Sequence, residues 1–278
     1  MPLHRSGTGG LMKVLTYNVH GWLTPDGGTS NVDLLAAVVA ATGADVVGLN
    51  EVFHPWSTTT GPALTVLAKR LGMSYAFAPT LLAAAHEDIP YGNALLSRWP
   101  ILAYASHHLA PTVSYGRRGL LEARVALPGG QPFTIYVTHL DHRSEPIRLA
   151  QWAAANTWLL RDRSRPHLLL GDFNALAAVD YPTSETAARL RAYQSVQGWP
   201  TPSFDLIAQV LKAGYVDAFE RAGTGQKMTW PSMEPERRID YIFLPGVLAD
   251  GLVNCACVDD PAARGASDHL PVLAEISG

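Results

Sequence analysis

Short apolar runs recur along the chain, and many of them stop abruptly at Asp, Asn, Glu or His. Residues 13–18 (KVLTYN) and 45–49 (DVVGL) have the continuous apolar character of buried strands. The first ends in Asn18, and the second is followed at once by Asn50-Glu51. Further strands are predicted over 75–78, 93–96 and 101–108. Residues 120–127 and 132–138 flank Gly129-Gly130, the best hairpin signal in the chain. Residues 167–170 run into Gly171-Asp172-Phe173-Asn174, and 239–244, 252–258 and 271–276 complete the set. Helices are predicted over 33–42 and 62–71, with Gly43 and Gly72 placed to end them. Ser144 is placed to cap a helix that carries Glu145 and Pro146 in its first turn and runs to about Arg161. Helical pattern returns around 185–193 and 204–213, while 175–202 as a whole is the least regular stretch.

Paired strands beside unevenly spaced helices argue against simple βα alternation. With no linker, charge run or repeat in view, the expectation is one α/β domain over 13–278 behind a flexible extension over 1–12. Met12 is a second candidate start. A content of 47% hydrophobic and 16% charged residues excludes a disordered chain. Twenty-one Lys and Arg against 24 Asp and Glu give a net charge of −3. That excludes a protein that coats nucleic acid by charge alone, and leaves open a small anionic group held by a metal and a few arginines. Cys255 and Cys257 are too few for a disulfide framework and read as ordinary strand residues. Residues 1–10 lack the apolar segment of a signal peptide, and the most apolar stretch, 34–41, is far shorter than the ~20 residues of a spanning helix. The expectation is a cytoplasmic protein without a transmembrane segment.

Six strand ends carry groups that bind metals or move protons: Asn18 with His20; Asn50 with Glu51; His139 with Asp141 and His142; Asp172 with Asn174; Asp240; and Asp268 with His269. One such residue is usually a turn former. Six together predict buried strands that deliver carboxylates and imidazoles to one rim. Carboxylate and amide oxygens suit hard ions such as Mg²⁺ or Mn²⁺, whereas zinc would call for closely spaced His or Cys. The markers of serine hydrolases and of P-loop proteins are missing from the sequence. Metal-assisted hydrolysis of a phosphate ester is the leading class.

Seven segments, Thr16-Tyr17-Asn18-Val19, Leu49-Asn50-Glu51-Val52, Gly92-Asn93-Ala94-Leu95-Leu96-Ser97-Arg98, Thr138-His139-Leu140, Gly171-Asp172-Phe173-Asn174, Arg238-Ile239-Asp240-Tyr241 and Ser267-Asp268-His269, occur in that order. Together they closely resemble the endonuclease/exonuclease/phosphatase superfamily. The resemblance runs from about residue 13 to the C-terminus. It implies a two-sheet β-sandwich flanked by helices, the four-layer α/β/β/α arrangement of deoxyribonuclease I, with the site at one edge of the sheets. It further implies that Glu51 is the main metal carboxylate, with Asn18 and Asp268 also at the metal. Asp172 and Asn174 match the pair that handles the attacking water or the leaving group, and His269 matches the histidine at the scissile phosphate. Asp240 matches the carboxylate that orients a catalytic histidine, which the sequence suggests is His139. His139 itself resembles the deoxyribonuclease, sphingomyelinase and phosphatase branches rather than the abasic-site enzymes. Asn50 departs from the pattern, since glutamine is more usual there.

Substrate signals are poorer. Asn93, Arg117 and Arg118 are candidate substrate contacts, the two arginines being equally readable as a phosphate clamp or a solvated hairpin end. Arg98 reads as structural. Trp22, Trp56, Trp199 and Trp230 fall in predicted loops, where they either stack on a ligand or pack the loop. The expected activity is that of a Mg²⁺- or Mn²⁺-dependent phosphodiesterase or nuclease. The alternatives are a phosphomonoesterase, a sphingomyelinase-like phospholipase, and a binding module with a degenerate site.

Overall fold

A computed structural model describes residues 10–82, 89–113 and 116–277. Among the described residues, two large sheets lie face to face. One has the order β12-β14-β15-β1-β2-β6-β5. Its strands are β1 (Leu11–Asn18), β2 (Val46–Phe53), β5 (Ser74–Leu82), β6 (Pro90–Ser97), β12 (Gly223–Thr224), β14 (Leu252–Cys257) and β15 (Val272–Ser277). The other has the order β11-β13-β10-β9-β8-β7. It is built from β7 (Ile101–Val113), β8 (Gly116–Ala126), β9 (Pro132–His139), β10 (His167–Asp172), β11 (Tyr215–Asp217) and β13 (Asp240–Pro245). A small ribbon of β3 (Ser57–Thr58) and β4 (Gly61–Pro62) stands apart.

Helices cover both outer faces. Side chains of α1 (Val32–Thr42), α2 (Ala63–Leu71) and α7 (Pro261–Ala266) share an apolar cluster with Leu15, Val47 and Leu49 of the first sheet. α3 (Glu145–Leu159) and α5 (Asp205–Lys212) do the same with Tyr136, Leu169 and Phe243 of the second. α4 (Ser184–Val196) and the short α6 (Ala218–Ala222) complete the set. The architecture is the expected four-layer α/β/β/α sandwich.

Between the sheets lies a third apolar cluster, formed by every second residue of the inner strands: Val14, Val46, Ile135 and Val137, Leu168 and Leu170, Ile242 and Leu244. This is the period of two that a strand imposes. The layers come close at Gly48, where a Cβ would stand 2.1 Å from Leu170 Cδ1. Gly171 is constrained in another way: its φ is +138°, and a Cβ there would lie 1.9 Å from the Thr138 carbonyl oxygen.

Several elements differ from the sequence reading. β1 already begins at Leu11, paired with Ser277, and Met12 pairs with Ile276, so the expected extension over 1–12 gives up its last two residues to the sheet. Residues 1–9 lie outside the described residues. β2 continues through Asn50-Glu51 to Phe53 instead of stopping at Leu49. Ser144 precedes α3, yet its hydroxyl makes no cap bond. Its N–H instead donates to Asp141 Oδ1 at 2.7 Å, and Asp141 thereby holds the entry to the helix. Trp22 is fully buried in the outer core and donates its indole N–H to the Phe53 carbonyl at 2.7 Å, so it packs the fold and faces no ligand.

Arg238 is a large, fully buried cation. Arg238 donates to Asp180 at 2.9 Å, to Asp217 at 2.7 Å and to Glu220 at 3.3 Å, and lies 4.6 Å from the Tyr241 ring centroid. Its anchoring fixes the entry to β13, two residues before Asp240. Truncating Arg238 leaves buried carboxylates without a counter-charge. Arg238→Ala is therefore expected to cost about 3–5 kcal/mol of stability, measured by urea denaturation.

Candidate active site

At one end of the sandwich, the inward-facing positions change from apolar to polar without a break in period. Val14, Thr16 and Asn18 share a face, as do Val46, Gly48 and Asn50; Ile135, Val137 and His139; Leu168, Leu170 and Asp172; and Ile242 and Asp240. Six polar groups are thereby gathered where the inter-sheet core ends.

The register explains who meets whom. Asp172 pairs with His139 across the parallel β9–β10 ladder and with Asp240 across the antiparallel β10–β13 ladder. Asp172 Oδ2 lies 3.4 Å from His139 Nε2 and 3.8 Å from His269 Nε2. The Asn18 amide group donates to Asp172 Oδ2 and Glu51 Oε1, both at 3.1 Å, and stands 3.4 Å from His269 Nε2. Its oxygen accepts the His20 N–H at 3.0 Å. Asn18 thus acts here as a donor between carboxylates.

Glu51 reaches this cluster through a bulge. Pairing with β6 passes from Leu49↔Ala94 to Val52↔Gly92, and Glu51 adopts φ +59°. Bulges re-aim side chains in this manner, at a conformational cost that a non-glycine residue bears only where its surroundings enforce it.

The expected pairing of Asp240 with His139 does not form. Asp240 Oδ2 instead accepts from His269 Nδ1 at 2.9 Å and from the Thr229 hydroxyl at 2.6 Å. β10 lies between β9 and β13, which places Asp240 and His139 two strand spacings apart, about 9–10 Å. His269 arrives from the loop after α7, on the first sheet's side. His139 Nδ1 faces the Tyr91 hydroxyl at 3.3 Å.

Electrostatics separate the two histidines. Burial, followed by the charge of Arg118 and the nearby His269, drives His139 well below the ordinary imidazole range. Burial presses His269 the same way, but the carboxylates of Asp240 and Asp268 overcome it and raise the group well above that range. Burial, then the neighbouring Asp240 carboxylate, pushes Asp172 up to about 7.

The other sequence candidates fall into place unevenly. Asn174, with φ +51°, donates its backbone N–H to Asp172 Oδ1 at 2.9 Å and its amide to the Leu140 carbonyl at 3.2 Å. Asp268 is half-buried and accepts from Trp230 Nε1 at 3.2 Å. Among the described residues, the carboxylate and imidazole atoms within mutual reach of one ion are those of Glu51, His139 and Asp172, and those of Asp172, Asp240 and His269. Asp268 belongs to neither group. Arg118 is half-buried and lies 3.1 Å from His142 Nδ1, whereas its neighbour Arg117 is exposed. Asn93 is buried and donates to the carbonyls of Gly119 and Val137, at 3.0 and 3.4 Å.

Sequence reasoning placed Asn50 at a strand end beside Glu51 but assigned it no role, and it organises the cluster. The Asn50 side chain donates to Asn93 Oδ1 at 2.8 Å and to the Thr138 carbonyl at 2.9 Å, and accepts the Asp172 N–H at 2.9 Å. One amide thus joins both sheets directly behind the catalytic candidates. Tyr91, Thr229 and Trp230 were also missed as partners of the site, since nothing in their local sequence signals the contact.

The model of the Endonuclease/Exonuclease/phosphatase family matches residues 15–269. The chain belongs to this family. Solved structures agree on the fold. A family member from Beutenbergia cavernae superposes with a TM-score of 0.70 at 24% identity, over 96% of this chain and 71% of its own. A mannosyl-6-phosphatase from Bacteroides thetaiotaomicron gives 0.69 at 17%, over 95% and 99%. TDP2 from Caenorhabditis elegans gives 0.63 at 17%, over 96% and 75%. No curated protein matches the chain in sequence. The family is one of phosphate-ester hydrolases that typically use a divalent metal.

Two outcomes follow from the site geometry. Asn50→Leu keeps the shape but strands a buried N–H and two buried oxygens, at about 1–3 kcal/mol for each group; urea denaturation should show a loss of at least about 3 kcal/mol. Asp240→Asn and His269→Ala should each lower turnover by about 10²-fold or more, with the double variant no slower than His269→Ala, because the two residues act as a unit. Steady-state kinetics on the four proteins checks this, and additive losses would dissolve the pair.

Proposed function

We propose that the chain is a phosphodiesterase of nuclease type that depends on Mg²⁺ or Mn²⁺. The arrangement that supports this reading is the Asp172 carboxylate facing two imidazoles, with Asp240 behind one of them and Glu51 on the shared Asn18 amide. The donor set fits a hard divalent ion: Glu51 and Asp172 bring carboxylate oxygens within reach of one ion, and burial, then the Asp240 carboxylate, raises Asp172. Glu51 would hold the ion, with Asp172 beside it. When bound, it supplies neutralisation of phosphoryl charge and a more acidic water.

The remaining roles belong to the side chains. Asn174 and Asn50 fix Asp172 through hydrogen bonds, with Asp172 Oδ2 turned to the histidines. Asp172 takes the proton of the attacking water. His269, held charged by Asp240, donates from Nε2 to a phosphoryl oxygen. His139 stays neutral, accepts the Tyr91 hydroxyl at Nδ1, and directs its Nε2–H as a hydrogen bond to the leaving oxygen, which takes its proton from solvent.

A substrate panel tests the proposal: bis(p-nitrophenyl) phosphate, p-nitrophenyl phosphate, plasmid and abasic DNA, RNA, sphingomyelin and inositol phosphates, each with Mg²⁺ or Mn²⁺ and with EDTA. The diester should be cleaved only in the presence of the metal, and faster than the monoester. Activity undiminished by EDTA would refute metal dependence, and a preference for monoesters would transfer the assignment to phosphomonoesterase. Glu51→Gln should fold normally yet bind Mn²⁺ at least about 100-fold more weakly by calorimetry.

A further inference from the structure

The loop after α4 and the ribbon leading into β13 enclose a cleft that no step above uses. It encloses a cavity of about 40 Å³, partly open to solvent, between His142, Arg143, Arg148, Gln194, Trp199 and Arg237. Arg237 is its unusual wall. The residue is only 7% exposed, and its guanidinium lies 4.7 Å from the Trp199 ring centroid and 5.8 Å from that of Trp230. Among the described residues its Nε has no hydrogen-bond partner, and neither has Oε1 of the buried Gln194.

Three arginines, Arg143, Arg148 and Arg237, line the cleft beside Glu145. Glu145 is already engaged, by Arg148 Nε at 2.7 Å and by the Leu206 N–H at 2.8 Å. Desolvation is the chief influence on Arg237 and lowers its pKa below the ordinary arginine value. A buried arginine without a counter-ion is costly to maintain, and an anion relieves that cost with charge-assisted hydrogen bonds. A phosphate that retains one P–OH also has a donor for Gln194 Oε1.

The cleft adjoins the catalytic cluster on two sides. Trp230, which faces Arg237, donates to Asp268 at 3.2 Å. His142 lies 3.1 Å from Arg118, one position before the residue that pairs with His139. We propose that the cleft is a subsite for a second phosphate on the substrate, held by Arg237 against Trp199. This rests on the phosphodiesterase reading and narrows it to diesters that carry a further phosphate near the scissile one.

Two measurements test it. In metal-free protein carrying Glu51→Gln, titration with inorganic phosphate should change tryptophan fluorescence. Adding Arg237→Gln should weaken that binding at least about tenfold. In the metal-loaded enzyme, the p-nitrophenyl ester of thymidine 5′-phosphate is compared with and without a 3′-phosphate. Wild type should prefer the 3′-phosphorylated form in kcat/KM, and Arg237→Gln should erase the preference mainly through KM. Should Arg237→Gln fail to fold, Gln194→Met and Arg237→Lys replace it, and both should reduce the preference. Phosphate binding unaffected by these variants overturns the subsite. So does phosphate binding at Arg237 without any substrate preference, which would make the cleft a free-anion site. If no diester is cleaved at all, the catalytic reading fails, while the fluorescence titration still reports on the cleft.

Discussion

The fold rests on one buried amide. Asn50 stands where the two sheets part, and its three hydrogen bonds reach β6, β9 and β10. An apolar residue there would leave the Asp172 N–H unpaired, and a longer one would have to fit where Gly48, two positions earlier, already marks a close approach of the layers. Because the amide fixes the backbone of Asp172, the carboxylate and the two imidazoles inherit their spacing from it. Asn93 extends the same tie to Gly119 on β8.

Around this tie, the site needs no dedicated scaffold. It is the inter-sheet core continued by two residues into polar side chains, on strands whose apolar halves are locked in the sandwich. That gives pre-organisation from packing already required for folding. It also explains the division of labour between the histidines. His139 sits on a central strand, where desolvation dominates, whereas His269 comes from a loop with two carboxylates beside it.

Much of this was legible in the sequence. Apolar runs ending in Asn18, Glu51, His139 and Asp172, and the run that Asp240 opens, identified the strands and the end of the sandwich that carries chemistry. Spatial strand order was not legible, and it decides that Asp240 serves His269 while His139 stands on the far side of Asp172. The bulge at Glu51 was equally hidden, since only pairing with β6 reveals it. Trp22 looked like a loop residue because a polar Gly-His context surrounds it, yet long-range packing buries it. Arg237 carried no signal beside its motif neighbour Arg238, and the two point to opposite fates: one ringed by carboxylates, the other stacked on indoles.

The ribbon that leads into β13 has a mechanical meaning. Trp230 and Arg237 exchange backbone hydrogen bonds, Thr229 of the same ribbon holds Asp240, and the Asp268 and Thr229 carbonyls accept from Ser232 and Leu270. Rim arginine, acid partner and histidine loop are therefore tied to one ribbon, which gives a continuous path of backbone and side-chain bonds from the mouth of the cleft to the His269 imidazole.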